Sequence, residues 1–350
     1  MKTINALCVT STEVARKKIT FENGLIKKIE SCKSDDRSVD FFYDDDCLLF
    51  SGMGDIHIHA REDISRKHIY KEDFNSTKAA AINGGVLFAA DMPNNPIPPI
   101  DDLSYKNKLH LIDLLKFPLF FYAGIGPKTR PLSFDIPYKV YMGPSIGELF
   151  FKDNDSLKEV LQYYRGSAVS FHCEDPEILE ASKNEPNHFL RRPVKAEIMA
   201  TDIALKLIKE FELRGKLCHY SSKKGLEAIL KAKSEGLNVT IEVTPTHLYF
   251  TQEYISTLDQ SEQTKFQMNP PIRTESDRLT LLQALKNGQI DYLATDHAPH
   301  SPEEKCQGMS GLPGLDTYGA FTTHLILKDL VDPKIIALTA SENPGKFVNQ

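Results

Sequence analysis

Apolar positions over the first 50 residues fall in short runs, Ile4–Thr10, Lys18–Phe21, Leu25–Ile29 and Cys47–Phe50, separated by turn formers such as Asn23-Gly24. This spacing predicts a small β-sandwich-like domain over 1–50, with the acidic stretches Ser34–Ser38 and Asp44–Asp46 as solvated loops. From residue 51 the rhythm becomes apolar run, polar gap, amphipathic stretch, repeated. Strands are predicted at Gly54–Ile58, Gly85–Ala90, Phe117–Ala123, Tyr138–Met142, Ser167–Phe171, Lys216–Cys218, Asn238–Val243 and Ile290–Ala294. Helical spacing lies between several of them. It is clearest where Ala200, Ile203, Ala204, Leu207, Ile208 and Phe211 would share one helix face. A second helix is predicted from near Glu72 to the glycine stop at Asn83-Gly84. Eight strands alternating with helices predict a parallel α/β fold, and eight is the number that closes a TIM-like (β/α)8 barrel, here 51–340. Residues 341–350 are left as a C-terminal tail that could help complete the β domain. A doubly wound sheet would need a Gly-rich loop after its first strand, whereas Gly52-Met53-Gly54 precedes it.

Length fits this division, since 350 residues exceed one barrel of about 250 by a modest appendage. The net charge of −6, with no basic stripe, argues against a nucleic-acid partner. No apolar run approaches the ~20 residues of a membrane span. Met1–Asn5 leads into mixed sequence rather than a secretion signal, so a cytoplasmic protein is expected. Six scattered cysteines without a C-x-x-C read as reduced thiols, not as disulfides or a cysteine zinc site.

The histidines carry more. In a barrel of this kind catalytic groups sit where strands end. The first predicted strand ends in His57-Ile58-His59, whose alternation aims both imidazoles to one side. Phe171-His172, Cys218-His219 and Thr295-Asp296-His297 stand at three further ends, and Lys139 lies inside an apolar run. One histidine at a strand end is more often structural than a ligand. Two on one face are costly to bury without a shared partner, and four with an aspartate suit Zn²⁺ or a similar divalent ion. A buried ammonium beside a dication would be repelled; carbamylated by CO₂, Lys139 becomes a carboxylate able to bridge two metals. His68, His110, His188 and His324 lack this context and are expected at the surface or in packing.

At this point the residues resemble the dihydroorotases of the amidohydrolase superfamily. Asp55-Ile56-His57-Ile58-His59-Ala60-Arg61 is similar to their H-x-H-x-R signature. Asp91–Pro96, Lys139–Gly143, His172–Asp175, Asn269–Arg273, Ala294–His300 and Gly311–Leu315 follow in family order over about 52–345. The resemblance implies two zinc ions. His57 and His59 would bind one, His172 and His219 the other, carbamylated Lys139 would bridge them, and Asp296 would ligate the first and serve as general acid and base. Arg61 would grip a substrate carboxylate with Asn94 and His300, while Asn269 and the backbone around Gly311 would hold the ring amides. The implied reaction is the reversible cyclisation of N-carbamoyl-L-aspartate to L-dihydroorotate plus water, in pyrimidine synthesis.

Departures from the pattern are Glu62-Asp63-Ile64 after Arg61, and Thr246 where a first histidine is frequent, so His247 receives no ligand role. Relatives usually continue beyond Ser341–Pro344 with strands returning to the N-terminal domain, which leaves that domain reduced or the chain shortened. Two alternatives are a hydantoinase or allantoinase, for which Arg61 is the counter-argument, and a non-catalytic subunit scaffolding a transcarbamylase. The expected partner is a small dianionic metabolite, not nucleic acid or membrane, and a homodimer is left open.

Overall fold

Alternation of short apolar and polar stretches near the N-terminus produces five strands: β1 (Lys2–Val9), β2 (Val14–Glu22), β3 (Leu25–Ser31), β4 (Phe41–Phe42) and β5 (Leu48–Phe50). The computed structural model describes residues 1–143 and 149–349. Strand β1 pairs antiparallel with β2 and parallel with β4 and β5, and β2 pairs antiparallel with β3. Asn23 (φ 50°) and Gly24 (φ 75°) make the β2–β3 turn, the positive-φ pair that a tight hairpin requires.

The longer apolar runs become parallel strands: β6 (Met53–Ile58), β7 (Val86–Asp91), β8 (Leu119–Phe121), β9 (Ala123–Ile125), β10 (Tyr138–Tyr141), β11 (Ala168–His172), β12 (Arg214–Leu217), β13 (Val239–Val243) and β14 (Tyr292–Leu293). They form a three-stranded sheet β6-β7-β8 and a six-stranded sheet running in order from β9 to β14. Helices lie between most successive strands, though no described helix separates β8, β9 and β10, and most strand residues are buried on both faces. The run expected at Phe117–Ala123 is split at Tyr122. The Tyr122 N–H bonds Asp91 O (3.1 Å), and its hydroxyl donates to Ile56 O (2.9 Å). At the far edge Ile58 forms a parallel bridge with His297, just past β14. Strand β14 is shorter than expected because Asp291 uses its carboxylate, not its carbonyl, to accept from Ile241 N–H (2.8 Å).

The helix expected from Glu72 spans Phe74–Asn83, started two residues later by the Asp73 cap on Ser76 N–H. At its end the left-handed residue is Gly85 (φ 75°), and Gly84 (φ −80°) serves another purpose. A Cβ on Gly84 would lie 1.9 Å from the Leu315 carbonyl oxygen. The periodic stretch around Ala200 becomes helix Val194–Glu210, burying Ala200, Ala204, Leu207 and Ile208. After residue 340 the chain forms helix Asn343–Phe347, whose Phe347 packs against Tyr122 and Tyr292; Gln350 lies outside the described residues. No described helix is long and apolar enough to cross a membrane.

Candidate metal and substrate site

Parallel strands share one direction, so their carboxyl ends meet on one side of the sheets. There a cavity of about 330 Å³ is lined by all eleven side chains or glycines singled out from the sequence. His57, His59, Lys139, His172, His219 and Asp296 form its floor; Arg61, Asn94, Asn269, His300 and Gly311 belong to its walls. Arg61 (φ 61°), His219 (φ 37°) and Asp296 (φ 53°) hold left-handed backbone conformations, a strained geometry for residues with a Cβ.

On the floor, Asp296 Oδ1 lies 3.1 Å from His59 Nε2 and 3.3 Å from His57 Nε2. The ligand atoms of these three residues are all within 4.8 Å of one another. His57 Nδ1 is 2.5 Å from Glu242 Oε1, which fixes the ring with Nε2 toward the cavity. Glu242 also accepts from the His219 N–H (3.0 Å) and from the Lys216 ammonium. Across the floor His172 Nδ1 faces His219 Nε2 at 2.9 Å, while His172 Nε2 is 2.8 Å from Glu174. Arg192 holds that buried carboxylate in turn, its Nε 3.0 Å away.

Burial, followed by the Lys139 and Lys216 charges, pushes His57 well below the usual imidazole range. Burial and then Arg61 lower His59 to about 3, and burial with the neighbouring His172 lowers His219. All are neutral, the form that binds a metal. Burial lifts Asp296 to about 7 despite Lys139, within reach of a proton-transfer role. Burial alone would raise Glu174, but Arg192 and the bond to His172 hold it well below the carboxylate range.

Lys139 is fully buried, and its partner among the described residues is the Cys218 thiol (3.1 Å). The other two fully buried lysines each meet a carboxylate: Lys108 meets Asp91 (2.6 Å) and Lys216 meets Glu242. A third buried ammonium without an anion is costly. The donor set therefore fits metal: converging neutral imidazoles, a carboxylate, and, among the described residues, a buried His219 Nδ1 without a hydrogen-bond partner and a buried lysine with no carboxylate in salt-bridge contact.

On the walls, Arg61 Nη2 lies 3.2 Å from His300 Nε2 and its Nε donates to Pro299 O (3.2 Å). Its Nη1 makes no hydrogen bond among the described residues. Asn94 Oδ1 faces His59 Nδ1 (2.7 Å). Asn269 Oδ1 is buried without a hydrogen-bond partner among the described residues, as is the hydroxyl of Tyr141, which lines the same cavity. Sequence reasoning assigned no role to Tyr141, Glu174, Arg192 or Glu242. Glu242 carries a signal of the Lys139 kind, one charge inside the apolar strand Ile241-Glu242-Val243; Arg192 carries none.

No family model matches the chain. The dihydroorotase of Pyrococcus furiosus is 30% identical over 332 residues, covering 94% of this chain and 73% of that protein. The dihydroorotase of Thermococcus kodakarensis is 30% identical over 343 residues, 97% and 78% of the respective lengths. Among solved structures, L-hydantoinase from Arthrobacter aurescens superposes with a TM-score of 0.84 at 23% identity, covering 99% of this chain and 82% of that one. D-hydantoinase from a Thermus species gives 0.80 at 20%. The structural likeness establishes a shared fold, and the sequence likeness goes further: the chain belongs to the dihydroorotase family.

Proposed function

We propose that the chain interconverts N-carbamoyl-L-aspartate and L-dihydroorotate, and the observation that carries this is Arg61 on the wall of a floor built from neutral histidines and Asp296. A guanidinium in that position matches the carboxylate that dihydroorotate carries and that hydantoin and allantoin lack. The reading takes the parallel strands as one closed (β/α)8 barrel, supported by the single-residue link at Tyr122 and the Ile58–His297 bridge, with 1–50 as a β appendage.

His57, His59 and Asp296 would hold one metal, His172 and His219 a second, and Lys139, as a carbamate, would lie between them. When bound, a zinc pair would supply a water acidified toward neutrality and polarisation of the amide carbonyl. The chain's own residues do the rest. Arg61, with Asn94 and His300, would orient the ring by its carboxylate, and Asn269 Oδ1 would accept a ring N–H. Asp296, raised to about 7, would take a proton at its carboxylate in the hydrolytic direction and return it to the leaving amide nitrogen. Glu242 and Glu174–Arg192 keep His57 and His172 in register.

Metal analysis of the purified protein beside a dihydroorotate hydrolysis assay tests this. His57→Ala is expected to lose both metal and turnover. Arg61→Met should retain metal and lose roughly 100-fold or more in kcat/KM for dihydroorotate, about the worth of a charged contact. Wild-type enzyme that turns over hydantoin or allantoin in preference to dihydroorotate would overturn the assignment.

A further inference from the structure

Two loops that face the cavity are joined by one side chain outside it. Helix Pro302–Cys306 carries Lys305, whose ammonium donates to three carbonyls: Gln267 (3.1 Å), Met309 (2.8 Å) and Gly311 (2.8 Å). Gln267 begins the segment that presents Asn269, and Met309 to Gly311 form a neighbouring lip of the same cavity. The two segments also touch through the Gly311 N–H, which donates to Gln267 O (2.9 Å). Gly311 (φ 136°) approaches the backbone so closely that a Cβ there would lie 2.6 Å from Ala298 O.

A lysine has three donors and no acceptor, so three carbonyls saturate it. Acidic groups nearby are engaged elsewhere or lie outside the cage. Glu304 pairs with Lys71 (2.8 Å) and Tyr70, Glu262 of the packed helix Gln260–Lys265 pairs with Lys265 (2.5 Å), and Glu303 and Cys306 are exposed. His188, the first residue of helix His188–Arg191, lies 2.8 Å from Met268 O. Desolvation alone acts on Lys305, lowering it to about 8. A half-buried cation held only by carbonyls is a poor choice for filling space, which an apolar side chain would do at lower cost.

We propose that Lys305 is a positioning residue, locking the Asn269 segment and the Met309–Gly311 lip at the separation that fits the substrate ring. This rests on the reading above, in which Asn269 and the Gly311 backbone hold the ring amides.

The test uses metal-loaded wild type, Lys305→Met and Lys305→Gln, with metal content, steady-state kinetics and amide hydrogen exchange. In Lys305→Met, KM for dihydroorotate is expected to rise about tenfold or more with kcat within about threefold and metal unchanged. Amides of 267–269 and 308–312 should exchange faster together, because one ammonium restrains both. In wild type KM should climb as pH passes about 8, and in Lys305→Met that climb should vanish. Unchanged KM, loss of metal in step with activity, or faster exchange in only one segment would overturn the proposal. If wild type fails to hydrolyse dihydroorotate, the functional reading falls, while the exchange result still decides the role of Lys305. Should Lys305→Met not fold, Lys305→Gln and the wild-type pH series decide it.

Discussion

A buried carboxylate can orient a candidate metal ligand without meeting the metal itself, and Glu174 is placed to do so for His172. It is fully buried, lies 2.8 Å from His172 Nε2, and is gripped by Arg192. Glu174→Gln would keep the shape but leave the Arg192 guanidinium without its anion, a change that costs about 3–5 kcal/mol in buried pairs. It would also release the His172 ring, and loss of such an orienting group typically weakens metal binding about 10–100-fold. Metal titration against a competing chelator, with thermal unfolding alongside, checks both effects; unaltered metal affinity would show that His172 needs no orientation from Glu174. Sequence reached this residue only as part of His172-Cys173-Glu174-Asp175, with no role attached. A lone charge in an apolar run was read at Lys139, and Glu242 carries the same signal unread, but which charges pair depends on neighbouring strands. Glu242 and Lys216 meet across β12 and β13, and Lys139 is left with a thiol.

At the scale of elements, existence and type were legible because burial follows periodicity, whereas edges answer to tertiary contacts. The helix after Asp73 illustrates both. Its capping box with Ser76 fixes where it starts, and its end is fixed by Leu315, more than 200 residues away in sequence. The Gly319 N–H donates to Gly84 O (2.9 Å), so the backbone of the 315–319 segment lies directly against the helix terminus. Gly84→Ala would drive a methyl into a carbonyl oxygen that has little room to retreat. Overpacking of this kind costs about 1–3 kcal/mol, so a fall of several degrees in Tm is expected, with the helix itself as well formed as before. Far-UV circular dichroism with a thermal melt measures it; a Tm equal to wild type would mean that the segment at Leu315 can shift freely. The β strand at Phe41-Phe42 went unread for a similar reason, since two residues carry no period and its pairing with Ile4 and Asn5 is entirely long-range.

Across the whole molecule, buried neutral imidazoles make stability depend on pH. His247 was given no ligand role from its sequence context. In the fold it is buried, with Nδ1 2.9 Å from Thr244 Oγ1 and Nε2 3.1 Å from Pro270 O. Burial lowers its pKa from 6.5 to about 4, the Arg273 charge acting in the same direction. The unfolded chain therefore takes up a proton near 6.5 that the folded chain refuses until about 4. The stability this represents is complete above about 6.5 and is lost as pH falls toward 4, by roughly 3 kcal/mol in all. Urea unfolding of wild type and His247→Gln at a series of pH values isolates the contribution. Protonation of the other buried histidines affects both proteins and largely cancels in the difference. Between pH 6.5 and 4 the slope of stability against pH should be smaller in His247→Gln by up to one proton. Equal slopes would mean that His247 is already charged in the folded protein and that the bond toward Pro270, next to Asn269, is not made by a neutral ring.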